Sequence, residues 1–305
     1  TSRPAGIVLD SALLAAFRWR SVGPANMAGR ITDVEGIPGS ATFFFAAASG
    51  GIWKTTNNGT SFRPVFDNYE CVSMGDLAIA PSDTLQAWAE TGEEDSRNSI
   101  SPGCGIYKST DGGLTWKRMG LEKSGAIGRI VVHPKDPNIV YGAALGQPWG
   151  PKRERGLYKT TDGGKTWQLV KFISEKAGVV DVAMDPSNPE VLLAGLWDFR
   201  RRGWTFRSGG EGPNAPSGSG LHRSTDGGRT WTPLTPAANR GLPAAPWGRV
   251  EVVIAPSDPK VVYALIESKA SGLFRSADGG ATWEARDKSQ MMVWRPFYFA
   301  RLVVD

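Results

Sequence analysis

One short segment recurs five times along this chain, and no other feature limits the fold so tightly. The copies read GIWKTTNNGTSFRPV (51–65), GIYKSTDGGLTWKRM (105–119), GLYKTTDGGKTWQLV (156–170), GLHRSTDGGRTWTPL (220–234) and GLFRSADGGATWEAR (272–286). Their marker residues, Asn57, Asp111, Asp162, Asp226 and Asp278, stand 54, 51, 64 and 52 residues apart. A period near fifty residues is that of a propeller or repeat array, in which each copy is one supersecondary unit that buries its faces against its neighbours.

Each copy reads as a hairpin. Gly-Leu-Tyr-Lys-Thr alternates apolar and polar residues, as a half-buried strand does. Asp-Gly-Gly supplies residues that tolerate positive φ, and the Asp carboxylate can accept the turn's own N–H groups. Thr-Trp opens the following strand, so Trp116, Trp167, Trp231 and Trp283 read as apolar plugs. The first copy keeps both roles with Asn57 for Asp and Phe62 for Trp. Upstream of the later hairpins, RIVVHP (129–134), VVDVAMDP (179–186) and RVEVVIAP (249–256) are apolar runs ending in Pro-rich turns, followed by a further strand. One period therefore holds four strands, A to D, and the chain is all-β: a β-propeller of four-stranded blades. The expected division is an extension over 1–16 and a single propeller over 17–305. Within it, 17–66 holds a closing strand and blade 1, then 67–119, 120–170, 171–234 and 235–287 hold blades 2 to 5. The stretch 288–305, with FYFARLVVD, begins a sixth blade, so the ring as given is incomplete.

The hairpins match the Asp-box, S/T-x-D-x-G-x-T-W, of bacterial neuraminidase repeats. From Phe17-Arg-Trp-Arg-Ser-Val-Gly-Pro onward the chain resembles the large secreted bacterial sortilin-like propellers, many of which carry a glycosyl-hydrolase label. The resemblance implies a longer parent chain with a larger closed ring. It specifies fold and says little about activity.

Composition closes off several functions. The net charge of +5 and pI near 9.2 are mild. No basic run is interleaved with aromatics at nucleic-acid-module spacing, so nucleic acid is not an expected partner. No apolar run reaches the roughly 18 residues of a membrane span. The two cysteines, Cys71 and Cys104, form neither a disulfide scaffold nor a zinc site; they read as one disulfide in an oxidising compartment or as two separate small apolar residues. The segment DSALLAAF (10–17) is too short and wrongly flanked for a signal peptide. A processed extracytoplasmic protein, periplasmic or secreted, would begin this way, as would a trimmed chain.

Strand direction places the Asp-boxes on one face of the ring and the longer B–C and D–A loops on the other, where function usually collects. A carboxylate engaged in its own turn is a poor catalyst, so the five markers read as structural. The opposite face offers Trp149, Arg153 and Arg155 in one loop, and Arg200, Arg201 and Trp204 in the longest; Trp247 and Trp294 lie in D–A loops. Tryptophan with arginine suits sugars, acidic groups or protein hot spots. Hydrolysis of a glycoside needs two facing carboxylates, and Glu93 and Asp95 are the candidates of the acidic 91–99 loop. Four of the six tyrosines occupy equivalent strand positions, and the Phe-Arg-Ile-Pro segment of sialidases is absent. The two histidines, His133 and His222, sit at repeat positions. No metal site or cofactor fingerprint emerges. The expectation is a non-enzymatic extracytoplasmic binding or scaffold propeller that recognises a protein or glycan, with a larger assembly covering the open edge. A glycoside hydrolase with a carboxylate pair in the cleft is the alternative.

Overall fold

The structure, a computed structural model, describes residues 29–304 apart from 96, 211–215 and 299. The expected extension and closing strand before residue 29 lie outside the described residues. Five antiparallel sheets follow in chain order, each a meander whose spatial order is its sequence order. Their inner strands are Ile31–Gly36, Met74–Ile79, Ile127–Val132, Ala177–Met184 and Val250–Ile254, and we number the blades I to V accordingly. Blade IV carries an addition: its second strand, Leu192–Arg202, runs past the sheet and pairs with Thr205–Ser208 in a hairpin of its own. That hairpin accounts for part of the long interval in the repeat.

Consecutive inner strands pack side by side from blade I to blade V. Between each pair lies one apolar cluster, and the tryptophan of the later blade's repeat joins it: Trp116 between I and II, Trp167 between II and III, Trp231 between III and IV, Trp283 between IV and V. Two of these indoles also donate backward, Trp167 to the Met119 carbonyl at 2.7 Å and Trp231 to that of Val170 at 3.1 Å. Phe62, at the same position in blade I, has no earlier described blade to fill; it packs edge-on against Phe43 and Phe45 and stays 37% exposed.

The repeat hairpins bear out the turn chemistry of their sequence. In blade IV the Ser224 hydroxyl donates to Asp226 Oδ1 at 2.8 Å and accepts from the Gly228 N–H at 2.9 Å. The Thr230 N–H and hydroxyl donate to the two carboxylate oxygens at 2.9 and 2.6 Å. The same set recurs around Asp111, Asp162 and Asp278. Bonds from Thr230 and Thr282 hold the Asp226 and Asp278 carboxyls down to about 2. A carboxylate depressed in the folded state contributes stability that is complete above its ordinary value near 4 and fades as pH falls toward 2. Urea midpoints should therefore drop across that window, and Asp278→Asn should flatten the drop. An identical pH profile for the variant would contradict this account.

After blade V a single 3₁₀ turn, Gln290–Val293, leads to residues 300–304, which form no regular element. The expected reopening of an inner strand there is not realised as a paired strand, yet the segment still delivers Arg301 to the ring axis.

Candidate active site

Outside blade I, whose inner strand also carries Thr32 and Glu35, the inner strands are apolar except at one repeat position, which sequence inspection for apolar runs passes over. Asp33, Asp76, Arg129, Asp181 and Glu251 each precede a Val, Leu or Ile in the middle of an inner strand, and Arg301-Leu302 follows the same pattern. The signal was available as T-D-V, G-D-L, G-R-I, V-D-V, V-E-V and A-R-L. The structure gathers all six at the axis. The carboxylates staple neighbours: Asp33 accepts the Leu77 N–H at 3.0 Å, Asp76 that of Ile130 at 2.8 Å, and Asp181 that of Val252 at 2.8 Å. Arg129 joins Asp181 at 2.9 Å and Asp76 at 3.5 Å.

Above this ring, toward the loop-rich face, the acidic loop after Thr91 folds inward. Glu94 is buried and shared by two guanidiniums, Arg249 and Arg301, each at 2.8 Å. It lies over Gly128, where a Cβ would stand 2.5 Å from its carboxylate. Arg249, fully buried, also binds Glu251 at 2.6 Å, Asp95 at 3.5 Å and the Pro296 carbonyl at 3.0 Å. Arg301 reaches on to the Thr32 carbonyl at 3.0 Å, which ties the C-terminal segment to blade I. Glu93 is buried and forked by Arg30 at 2.7 and 2.5 Å.

Carboxylates outnumber guanidiniums here, and burial makes the surplus protons stay. Burial, opposed by Arg249 and reinforced by Glu94 and Glu93, raises Asp95 to about 7. Burial lifts Asp76 and Glu35 to about 7 as well. Glu90, sealed between blades II and III, is pushed well above the carboxylate range. Glu94 goes the other way: despite burial, Arg301 and Arg249 hold it below its ordinary value. Among these, Asp95 combines a raised proton affinity with a side chain that is 25% exposed. One guanidinium, that of Arg249, touches both Glu94 and Asp95.

The expected contact residues divide. Trp149 and Trp204 are exposed, at 44% and 93%, and Trp294 is exposed after the 3₁₀ turn. Arg153 is a surface residue paired with Glu175 at 2.9 Å. Arg155 and Trp247, by contrast, are inside. Arg155 donates to the carbonyls of Leu145 and Gln147 at 2.5 and 2.6 Å and shapes the 145–150 loop; Trp247 bonds the Pro243 carbonyl at 3.0 Å. Both side chains are largely enclosed by their own loops. Arg200 and Arg201 are largely buried along the extended strand, Arg201 fixed to Asn98 at 2.8 Å and stacked on Phe206 and Phe297. His133 Nδ1 accepts the Lys135 and Asp136 N–H groups, and burial lowers His222 to about 4. Cys71 and Cys104 are joined in a disulfide. Among the described residues, no three His, Cys, Asp or Glu side chains could hold a metal ion.

A family model described as Sortilin-Vps10 (sortilin, neurotensin receptor 3) matches residues 104–240. A xyloglucanase of a Paenibacillus species is 27% identical over 56% of this chain and 16% of its own length. The xyloglucanase Xgh74A of Acetivibrio thermocellus is 29% identical over 51% of this chain and 19% of its own length. The chain thus spans less than a fifth of these curated relatives. Among solved structures, an ancestral GH74 enzyme superposes with a TM-score of 0.59 at 19% identity, covering 84% of this chain and 31% of that one. The GH74 enzyme of Niastella koreensis gives 0.55 at 22%, covering 80% and 36%. The likeness to sortilin-like and glycosyl-hydrolase Asp-box propellers holds. The expectation of a non-enzymatic binding or scaffold protein does not: the curated proteins that this sequence matches are glycan-cleaving enzymes by name.

Proposed function

We propose that this chain is a glycoside hydrolase propeller acting on a β-glucan of the xyloglucan class, with its chemistry at the loop-side mouth of the ring axis. The observation that carries this reading is Asp95: a partly open carboxyl group, kept protonated to about 7, beside Glu94, which Arg301 and Arg249 hold below its ordinary value. A raised carboxylic acid next to an ionised one is the division of labour that glycoside cleavage requires. Asp95 would protonate the departing glycosidic oxygen. Glu93, freed from Arg30 when the polymer enters, would take a proton from the water whose oxygen bonds the anomeric carbon as the glycosidic bond breaks, and Arg249 would hold the acid in place. The names of the relatives supply the substrate class. The disulfide supports an oxidising, extracytoplasmic setting.

The test is release of reducing ends from xyloglucan and from unbranched β-glucans. Asp95→Asn and Glu93→Gln should each lower turnover by about a hundredfold or more, the scale on which positioned acids and bases contribute. The basic limb of the kcat/KM profile should fall near pH 7 and vanish in Asp95→Asn. Unchanged turnover in both variants would refute the assignment.

A further inference from the structure

The face that carries the Asp-boxes has a site of its own, at the junction of blades IV and V. In four blades the second strand sets an aromatic ring directly across from a basic residue of the third: Phe44 pairs with Lys54, Trp88 with Lys108, Tyr141 with Lys159 and Tyr263 with Arg275. In blades I to III the ammonium stands over the ring, 5.2, 4.9 and 5.1 Å from its centre. Ring and cation together receive the Gly-Gly turn of the next blade's box. A Cβ on Gly113, Gly164 or Gly228 would stand 2.5, 2.8 or 3.5 Å from the ring of the blade before. Lys54 donates to the Gly112 carbonyl at 2.6 Å, and the Gly227 carbonyl accepts from both Lys159 and the Tyr141 hydroxyl at 2.9 Å.

Blade IV keeps the cation and loses the ring. Leu193 stands opposite Arg223, and a Cβ on Gly280, the matching glycine of blade V, would meet Leu234 and Trp283 rather than the second strand of blade IV. A cavity of about 620 Å³ opens there, walled by Leu193, Val262, Arg223 and the turn at Gly279. That size lies within the range of ligand pockets, about 300–1,000 Å³. Arg223 Nε is sealed from water and has no hydrogen-bond partner among the described residues. Asp278 is engaged in its own turn, and Asp185 and Asp258 balance Arg223 and Lys260, so the wall favours no ion.

We infer that this cavity binds a neutral phenol ring supplied by a ligand, in the place that Phe44, Trp88 and Tyr141 fill at the earlier junctions. The face of the ring takes the Arg223 guanidinium, as the rings of blades I to III take their ammonium groups. Its edge rests on Leu193 and Val262, and its hydroxyl donates to the Gly279 carbonyl, as Tyr141 does to that of Gly227. The inference does not depend on the chemistry at the ring axis, which lies toward the other face.

The test is titration of the protein, followed by NMR, with para-ethylphenol and with N-acetyltyrosinamide, which separate a free phenol from a tyrosyl group carried on a peptide. Cyclohexanol is the saturated control. At least one phenol should bind about tenfold more tightly than cyclohexanol. Leu193→Tyr supplies the ring from within and should abolish binding, while its thermal midpoint holds or rises. Arg223→Leu keeps the cavity, removes the cation and should weaken binding about fivefold. Equal affinity for cyclohexanol, unchanged binding by Arg223→Leu, or a folded Leu193→Tyr that still takes the phenol would each overturn the inference. If Leu193→Tyr does not fold, the other two comparisons decide.

Discussion

Replacing Arg249 by alanine will destabilise the protein by about 3–5 kcal/mol, on the scale set by breaking a buried ion pair from one side. The guanidinium is enclosed and satisfies Glu94, Glu251 and Asp95 together with the Pro296 carbonyl. Its removal leaves the buried Glu94 and Glu251 with one fewer cation. The loss should depend on pH with a defined sign. Glu94 and Glu251 can escape the penalty by taking up protons, so the deficit shrinks as pH falls and is largest above neutrality. Urea denaturation of Arg249→Ala and the parent protein at pH 5 and pH 8 measures both quantities. A variant equally stable at both pH values, with no deficit, would show that the cluster is solvated and that its raised proton affinities have another origin.

The second large effect belongs to the repeat. Trp283→Ala should cost about 3–5 kcal/mol, while Phe62→Ala, at the same repeat position, should cost about 1 kcal/mol. The difference is burial. Trp283 is 6% exposed in the cluster between blades IV and V and bonds the Gly280 carbonyl at 3.0 Å; Phe62 is 37% exposed. Thermal or urea midpoints of the two variants compare directly, since both delete one aromatic ring from the same turn. Equal losses would mean that Phe62 is covered to the same degree as its counterpart.

These residues show what was legible beforehand. The blades could be read because Ser-x-Asp-x-Gly-x-Thr-Trp satisfies its polar groups within one turn, so sequence neighbours are also spatial partners. The alternation of Gly-Leu-Phe-Arg-Ser likewise gave its strand without reference to anything distant. The axial cluster could not be read in that way. Glu94 and Arg249 are 155 residues apart, and Arg301 and Thr32 are 269 apart. Asp33, Asp76, Asp181 and Glu251 look like isolated charges in apolar strands until the ring places them on one axis. Asp95 was named among the acids of its loop, but its raised proton affinity comes from burial, opposed by Arg249 and reinforced by Glu94 and Glu93, and only the fold supplies that burial. Arg155 and Trp247 show the converse: as types they suit recognition, and only the fold shows that both are buried.

The staples at the axis carry a polarity in time. Asp33 serves the amide of Leu77, Asp76 that of Ile130, and Asp181 that of Val252, while Arg129 reaches forward to Asp181. In every case the earlier residue holds out the group that the later blade needs. As the polypeptide leaves the ribosome, each finished blade already displays the acceptor or donor on which its successor will settle. Docking of the inner strands can therefore proceed in the direction of synthesis, one blade templating the next, while Glu94 and the Thr32 carbonyl wait for Arg249 and Arg301.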